Sequence, residues 1–303
     1  MELLSYFSRI FRLIRQPLYS VSYFLGLIAP SFFRYNQDRL LKKTKLKDKC
    51  FLLSFDCDTS KDIEVVEYVH NRLKGIGITP TYAVPGELLV EGAEIYRKLS
   101  DQGAEFINHG YRSHTSYCTK NKSYISTLFY EKLNDEDVKE DILKGHKTFF
   151  DVLGKYPLGF RTPHFGGYQS KNNLRHLYST LKELGYSFSS STSPYIAMWK
   201  GSVIDTNFGI YEFPVSGCYD YPVRILDSWS FRFSPTRRFK ESDYVLQFKK
   251  AIDHFSLMNG PAIFNIYADP SQVYDWEDFF LCMEMTKNLK NISFAELTEK
   301  VRE

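Results

Sequence analysis

The feature that most constrains this chain is residues 51–59, an apolar segment that ends in two aspartates. The segment shows little alternation of apolar and polar residues, which is typical of a strand buried on both faces. Residues two apart in an extended chain project to the same side, so Asp56 and Asp58 are expected to face one space. Their mutual repulsion is offset by a cation or a shared proton. The pattern leaves two interpretations open, a cation site at a strand end or an Asp-rich turn that caps the next helix, and only partners elsewhere in the chain can favour the first.

Composition is that of an ordinary globular protein. The 303 residues, of which 43% are hydrophobic and 25% charged, suffice for one large α/β barrel or two modest domains. A net charge of +3 is too small to indicate nucleic-acid binding, so no nucleic-acid partner is expected. The five cysteines are widely spaced without a C-x-x-C pair, which favours reduced thiols in a cytosolic protein over disulfides or a cysteine-ligated zinc site.

The N-terminal residues differ from the rest of the chain. Residues 1–16 place three arginines among apolar side chains, and residues 17–33 are apolar and aromatic but are interrupted by Gly26 and Pro30. This stretch is short for a bilayer span, and no A-x-A-like cleavage site follows it. Residues 1–33 therefore predict an anchor on the membrane surface that faces the cytoplasm. The alternative is an extra helix packed on the domain with a solvated basic face.

After this extension, strand and helix patterns alternate. Strands are predicted at 51–56, 78–84, 104–107, 158–160, 187–190, 203–204, 210–214 and 262–266, and helices at 63–74, 92–102, 135–153, 172–184, 244–258 and 276–289. Such units indicate a single parallel barrel or a doubly wound sheet. The polar residues 115–134 are predicted to form an irregular loop that shapes a cleft. We expect residues 1–44 to be an extension and residues 45–303 one domain.

Two histidines follow the predicted strand 104–107. His109 and His114 would lie at the sheet edge beside the two aspartates, because the carboxyl ends of parallel strands share one edge. Two imidazoles and one carboxylate form a set suited to a divalent metal. Three protein ligands leave a position open for water, which is typical of catalytic zinc. The alternative is a pair of packed or solvated histidines.

A further charged residue, Arg161, follows the predicted strand 158–160. A guanidinium stays charged and fits a carboxylate through paired donors, so Arg161 is a candidate to hold Asp56 ionised and oriented. The alternative is an arginine on a turn that Pro163 fixes.

The order and spacing of these motifs resemble the polysaccharide deacetylases of the NodB-homology type, related to carbohydrate esterase family 4. The motifs are Phe55-Asp56-Cys57-Asp58, the His109/His114 pair, Phe160-Arg161-Thr162-Pro163, Leu184-Gly185-Tyr186 and Glu212-Phe213-Pro214. The resemblance covers residues 50–297. It implies an α/β fold, a deformed (β/α) barrel, and a divalent ion, with Zn²⁺ the expected metal. It also implies that this ion activates water to cleave an acetamide.

The resemblance also implies a role for each matched residue. Asp56 matches the general base of the family, and Arg161 matches the residue that positions the base. Asp58, His109 and His114 match the metal ligands. A base held ionised beside an arginine and a cation needs no raised pKa to work at neutral pH.

The chain departs from the family pattern in two places. Its metal histidines stand five positions apart where the family usually has four, so either a residue such as Arg112 bulges out or the geometry of the ligands changes. The last strand ends in Asp269 where the family has a histidine that protonates the leaving amine. As an acid, Asp269 would need a raised pKa. His164 is the alternative proton donor, and Trp229 and Tyr168 are candidates to stack on a sugar ring.

The function that follows is removal of an N-acetyl group from an N-acetylated sugar. The substrate would be an envelope glycan or its lipid-linked precursor, processed in the cytoplasm or at the inner membrane face. One alternative is a hydrolase of another C–N bond, in a formamide or a cyclic amide. The other is a barrel that has lost catalysis and binds a glycan.

Overall fold

The structure is a computed structural model that describes residues 17–234 and 239–303. Two helices, Pro17–Ile28 and Pro30–Leu41, precede the first strand. The basic amphipathic pattern noted at residues 1–16 lies outside the described residues.

A curled sheet forms the centre of the fold. The strands are β1 (Lys49–Asp56), β2 (Thr81–Val84), β3 (Glu105–Asn108), β4 (Thr115–Cys118), β5 (Ser123–Ser126), β6 (Gly159–Phe160), β7 (Phe188–Ser189), β8 (Ile204–Asp205), β9 (Tyr211–Glu212), β10 (Ala262–Ala268) and β11 (Lys290–Asn291). In the described part of the chain, the main sheet runs β10-β1-β2-β3-β6-β7-β9-β8, and β11 pairs with β1. Every pair of neighbouring strands in this main sheet is parallel except β8 with β9. The predicted deformed (β/α) barrel is confirmed.

Helices connect the parallel strands. Beyond the extension they are Ser60–Lys74, Gly86–Glu91, Ala93–Asp101, Asp135–Leu153, Lys171–Glu183, Pro194–Lys200, Glu241–Leu257, Pro270–Val273, Glu277–Glu284 and Phe294–Arg302, with 3₁₀ turns at Tyr130–Lys132 and Met285–Asn288 and a π-helical turn at Trp229–Phe233. Capping residues mark where these helices begin and end. Asn134 caps the fourth of them by accepting from the Asp137 N–H at 2.9 Å, and Gly154 ends it in the left-handed region at φ 69°.

Strand β1 is buried on both faces, as its sequence predicted. Phe51, Leu53 and Phe55 pack in the cluster that lies under the surrounding helices. Leu52 packs in a second cluster with residues from β2, β3 and β7, which places it inside the curled sheet. Asp56 has the same parity as Leu52, so its carboxylate faces the interior at the end of the strand.

Residues 115–134 are not an irregular loop, and that prediction is wrong. Strands β4 and β5 pair as an antiparallel hairpin, and a 3₁₀ turn at Tyr130–Lys132 follows. The hairpin is held by tyrosines rather than aliphatic side chains: Tyr124 is buried and its ring packs against Tyr117. The sequence of this segment suggests an irregular loop because its few buried residues are tyrosines, which carry hydroxyl groups.

The two N-terminal helices pack against the barrel domain. Trp199 donates its indole N–H to the Ser22 hydroxyl at 2.7 Å, and a Cβ on Gly26 would lie 2.9 Å from the Val223 side chain. Leu41 joins the core cluster that holds Leu52. The packed-helix alternative thus describes the inner side of these helices, while the domain boundary at residue 44 stays a prediction.

Within residues 17–234 and 239–303, no helix combines the length and the apolar character that a membrane crossing requires.

Candidate metal and catalytic site

Parallel pairing brings four strand ends to one edge of the sheet. Asp56 ends β1, His109 follows β3, Arg161 follows β6 and Asp269 follows β10. The β1 register aligns Phe55 with the last residue of β10, and the last residue of β3 pairs with the last residue of β6. The side chains singled out in the sequence therefore converge because of the strand topology.

Three side chains at this edge, those of Asp58, His109 and His114, each point one possible metal-ligand atom into a common space. Asp58 Oδ1 lies 2.9 Å from His114 Nε2 and 3.4 Å from His109 Nε2. One donor atom from each of the three residues lies within 4.8 Å of the others. All three named atoms are buried and lack a hydrogen-bond partner. Buried polar atoms normally have a hydrogen-bond partner. Three such atoms that lack one and face each other, an oxygen and two nitrogens, are suited to bind a divalent cation.

His109 is held in the tautomer that a metal ligand needs. Its Nδ1 lies 2.8 Å from the carbonyl oxygen of Arg161, and because a carbonyl can only accept, Nδ1 carries the hydrogen. The lone pair of Nε2 is therefore left facing Asp58.

Burial and the neighbouring charges act in opposite directions on these groups. Burial alone would lower the pKa of His109, but Asp56 and Asp58 raise it above its ordinary value. Burial alone would raise the pKa of Asp58, but the imidazoles of His114 and His109 lower it well below its usual range. The pocket therefore favours an ionised carboxylate with positive charge beside it, which is the charge pattern that a bound cation would complete.

The five-residue histidine spacing is absorbed by a loop that wraps around Asp141. Gly110 has a left-handed φ of 83°, and Arg112 points away from the site and donates its Nε–H to Asp141 at 2.8 Å. The N–H groups of Tyr111 and Arg112 donate to the same carboxylate, each at 3.1 Å. The extra residue thus bulges outward, which is the first of the two expected outcomes, and His114 still faces Asp58.

Arg161 is fully buried and contacts Asp56. Its Nη1 donates to Asp56 Oδ1 at 2.7 Å. Its Nε donates to the backbone oxygen of Ser190 and its Nη2 to the Ser190 hydroxyl, both at 3.1 Å. Fixing the guanidinium at three atoms fixes one oxygen of the carboxylate and leaves the other free.

Asp269 is the buried carboxyl group at the end of β10. It is 8% exposed, and its backbone N–H donates to the Ser228 hydroxyl at 3.2 Å. Burial first, and then the carboxylates of Asp58 and Asp62, raise the pKa of Asp269 well above its usual range. The shift favours the protonated form of this carboxyl group.

His164 lies beside the proposed metal ligands but differs from them in its hydrogen bonding and in its pKa. Its Nε2–H donates to the backbone oxygen of His114 at 3.1 Å, and its own φ is 58°, in the left-handed region. Burial, with a further contribution from His114, lowers the pKa of His164 to about 4. At neutral pH this imidazole is uncharged and its one N–H is already engaged.

The β4–β5 hairpin borders the site on one side. Thr115 donates its hydroxyl to Asp58 Oδ2 at 3.3 Å. The Tyr124 hydroxyl lies 2.7 Å from the Ser271 hydroxyl, and the Ser271 N–H donates to Asp62 Oδ1 at 2.8 Å. These contacts tie the hairpin to the segments that follow β1 and β10.

Two residues named as sugar-stacking candidates differ in their surroundings. Tyr168 is 2% exposed and packs on Tyr130 in a core cluster, so its ring face is not open to a ligand. Trp229 is partly exposed and lies with its ring centre 6.1 Å from that of Tyr124, beside the hairpin.

Several residues of the network were not singled out from the sequence. Asp141, Ser190 and Asn265 carry hydrogen bonds that position the histidine loop and Arg161. Glu212, part of a family motif, is buried and accepts from the N–H groups of Ser191 and Thr192, both at 2.8 Å, so it shapes the loop beside Arg161. Of Asp141, Ser190 and Asn265, only Asn265 could have been noticed in the sequence, because it is a polar residue inside the otherwise apolar strand β10.

Comparisons with known proteins find a matching family model and solved structures of similar fold. The family model described as polysaccharide deacetylase matches residues 43–188. A comparison with curated proteins finds no match.

Solved structures of the same fold cover most of the chain. One is provisionally assigned as a polysaccharide deacetylase from Mycobacterium smegmatis, with 17% identity, a TM-score of 0.60, and coverage of 84% of this chain and 91% of that one. Another is the allantoinase Puue, with 12% identity, a TM-score of 0.62, and coverage of 85% and 90%.

A third solved structure is a mutant of a carbohydrate esterase family 4 pseudoenzyme from Bacillus anthracis, with restored enzymatic activity. It has 13% identity, a TM-score of 0.50, and coverage of 84% and 68%. At such identities these structures show the shared fold alone. The family match goes further, because residues 43–188 match the polysaccharide deacetylase model in sequence, and the motifs between residues 50 and 297 resemble the same family.

Proposed function

We propose that this protein is a metal-dependent hydrolase that removes the N-acetyl group from an N-acetylated sugar of an envelope glycan or its lipid-linked precursor. The observation that carries the proposal is the convergence of unpartnered donor atoms from Asp58, His109 and His114, beside a carboxylate that Arg161 holds at 2.7 Å. A metal site next to an oriented base is an arrangement suited to metal-assisted hydrolysis of an amide.

The three ligands supply one carboxylate and two neutral nitrogens, a set that suits Zn²⁺. Bound there, the ion would lower the pKa of a water molecule and polarise the amide carbonyl. The Arg161 carbonyl keeps His109 in the ligand tautomer, and the Asp141 loop keeps His114 in place.

Asp56 is proposed as the general base. Its Oδ1 is occupied by Arg161, and its free Oδ2 lies 3.8 Å from His109 Nε2, at the margin of the metal site. An oxygen in this position can accept a proton from the attacking water while the guanidinium keeps the carboxylate from turning away.

Asp269 is proposed as the acid that protonates the leaving amine. It is buried at the neighbouring strand end, and its raised pKa favours the protonated form, from which a proton can be donated. His164 suits this role less well, because its N–H is bonded to the His114 carbonyl oxygen. We therefore assign His164 to the support of the His114 loop.

A second candidate function is hydrolysis of a formamide or a cyclic amide. The similarity to an allantoinase structure favours it, since the same fold in that protein carries an allantoinase. A barrel that binds glycan without catalysis is the third candidate, and an inability to hold a divalent ion would favour it.

Cytoplasmic location is part of the same proposal. All five cysteines are free thiols, and four of them are buried. Such cysteines are typical of proteins in a reducing compartment.

The proposal is tested with purified protein before and after loading with Zn²⁺. Mass spectrometry follows the loss of an acetyl group from acetylated aminosugars and from lipid-linked intermediates, with formylated and cyclic amides in parallel. Asp56→Asn is the matched control, which should hold the metal but form no product. Protein that cannot be loaded with a stoichiometric divalent ion would overturn the enzyme proposal, and turnover of formamides or cyclic amides alone would favour the second candidate.

A further inference from the structure

The two N-terminal helices present an apolar face to solvent. We define this outer apolar face as Leu18, Val21, Phe24, Leu27, Ile28 and Phe32, whose exposed fractions range from 42% to 79%. Within helix Pro17–Ile28 most of these residues recur three or four positions apart, so they form one side of the helix.

The opposite side of the same helix is already packed. Ser22 and Gly26 are buried, Ser22 accepts from the Trp199 indole at 2.7 Å, and Gly26 lies close to Val223. These contacts fix which side of the helix faces outward. Because the side with Ser22 and Gly26 packs on the domain, the outer apolar face points away from the domain. Exposed apolar patches of this kind mark interaction surfaces.

Charge in the N-terminal part of the sequence indicates the kind of occupant. The first 47 residues contain nine Lys or Arg and two acidic residues, so they account for more than the whole net charge of +3. Of the two acids, Asp38 lies 3.1 Å from His254 and is thereby paired. Exposed basic side chains, among them Arg39, Lys42 and Lys43, follow at the end of the second helix.

A basic, apolar surface suits an anionic bilayer better than a second copy of this chain. Lysine is depleted at protein interfaces, and self-association would bring two positive surfaces together. Anionic headgroups attract basic residues, and acyl chains accept apolar side chains. Each helix has 12 residues, which corresponds to about 18 Å, a length suited to lying in the interface plane.

We propose that the outer apolar face docks this protein on the surface of a bilayer that contains anionic phospholipids. The aromatic and aliphatic side chains enter the headgroup boundary, and the neighbouring arginines and lysines contact phosphates. Docking goes beyond the proposed reaction and does not depend on it.

The experiment measures binding of the full chain to vesicles by co-sedimentation. Vesicles of phosphatidylcholine alone are compared with vesicles that also contain phosphatidylglycerol. We expect binding to the anionic vesicles that weakens as salt is raised. The variant Phe24→Ser/Ile28→Ser/Phe32→Ser should bind at least about tenfold more weakly, because it removes apolar area without changing charge.

The matched control is Leu246→Ser/Leu281→Ser, on helices Glu241–Leu257 and Glu277–Glu284. These leucines are 49% and 50% exposed, so the control removes similar side chains elsewhere on the surface. It should bind vesicles like the unaltered protein, and thermal unfolding should show that both variants fold.

Two outcomes would overturn the proposal. One is unaltered protein that stays in the supernatant with anionic vesicles, and the other is an equal loss of binding in the control. A dimer in sedimentation velocity that the triple variant abolishes would assign the face to a second copy instead. Because the readout is vesicle binding, a failure here is separable from a failure of the proposed reaction.

Discussion

The side-chain amide nitrogen of Asn265 lies 3.3 Å from the hydroxyl oxygen of Ser190, and it links β10 to the residue that holds Arg161. The same hydroxyl accepts from Arg161 at 3.1 Å, and Arg161 donates to Asp56 at 2.7 Å. All four side chains are buried. The position of the proposed base therefore depends on two residues that do not contact it.

Ser190→Ala tests this dependence. The change removes the acceptor for Arg161 Nη2 and breaks the link between Asn265 and Arg161, so the guanidinium can shift and Asp56 with it. We expect kcat to fall by about tenfold or more, with KM and metal content unchanged, because misplacing a reacting group by about 1 Å is that costly. Steady-state kinetics and elemental analysis measure both quantities.

Ser187→Ala is the matched control, since Ser187 lies in the same segment and is only partly buried. Its kcat should equal that of the unaltered protein. An unchanged kcat in Ser190→Ala would show that Arg161 is held well enough by its other contacts.

The sequence could predict which residues converge at the site, because strand ends in a parallel sheet share one edge. Asp58, His109 and His114 each follow a recognisable strand, and their donor atoms do meet. The sequence also predicted that Arg161 holds Asp56, and the two side chains are in contact. It could not predict that Ser190 and Asn265 support Arg161, since these two residues are 75 positions apart and only the curl of the sheet brings them together.

The β4–β5 hairpin and the loop between His109 and His114 were still harder to predict from the sequence. β4–β5 is stabilised by tyrosine contacts across the site, which leave no apolar periodicity in the sequence. Asp141 is one acid among several on helix Asp135–Leu153, and nothing in that helix marks it as the residue around which the loop after His109 closes.

The metal ligands and the base should respond differently to substitution. Asp58→Ala or His114→Ala removes one of three ligands, so we expect loss of the stoichiometric divalent ion and of turnover. Asp56→Asn should retain the ion, because Asp56 lies outside the ligand set and its Oδ1 contacts Arg161. Elemental analysis and turnover separate these cases. Full activity in Asp56→Asn would contradict the assignment of the base.

The identity of the proton donor predicts a pH dependence. Asp269 must be protonated to donate, and burial together with Asp58 and Asp62 raises its pKa well above its usual range. We therefore expect kcat to fall as pH rises through this raised pKa, and we expect Asp269→Asn to lose both most of the activity and this alkaline limb.

His164→Gln is the informative comparison, because glutamine keeps an N–H for the His114 carbonyl oxygen. It should retain the alkaline limb of the pH profile. If the limb disappeared in His164→Gln and persisted in Asp269→Asn, the two roles would have to be exchanged.

Gly110 is where the histidine loop has least tolerance for change. It has a φ of 83°, and a Cβ there would lie 2.5 Å from Asp141 Oδ2 and 2.6 Å from the Tyr130 hydroxyl. Gly110→Ala must therefore push the Asp141 carboxylate away from the N–H groups that hold the loop, which displaces His114. We expect loss of metal and a stability loss of about 2 kcal/mol or more.

Gly103→Ala isolates the contribution of backbone strain. Gly103 has a similar φ of 92°, but a Cβ there would meet nothing within 4 Å. We expect this variant to lose about 1 kcal/mol and to keep its metal. Thermal unfolding and elemental analysis on both variants give the comparison. Equal stability losses, with metal retained in both, would mean that Asp141 can move without disturbing His114, and the loop would not be what orients that ligand.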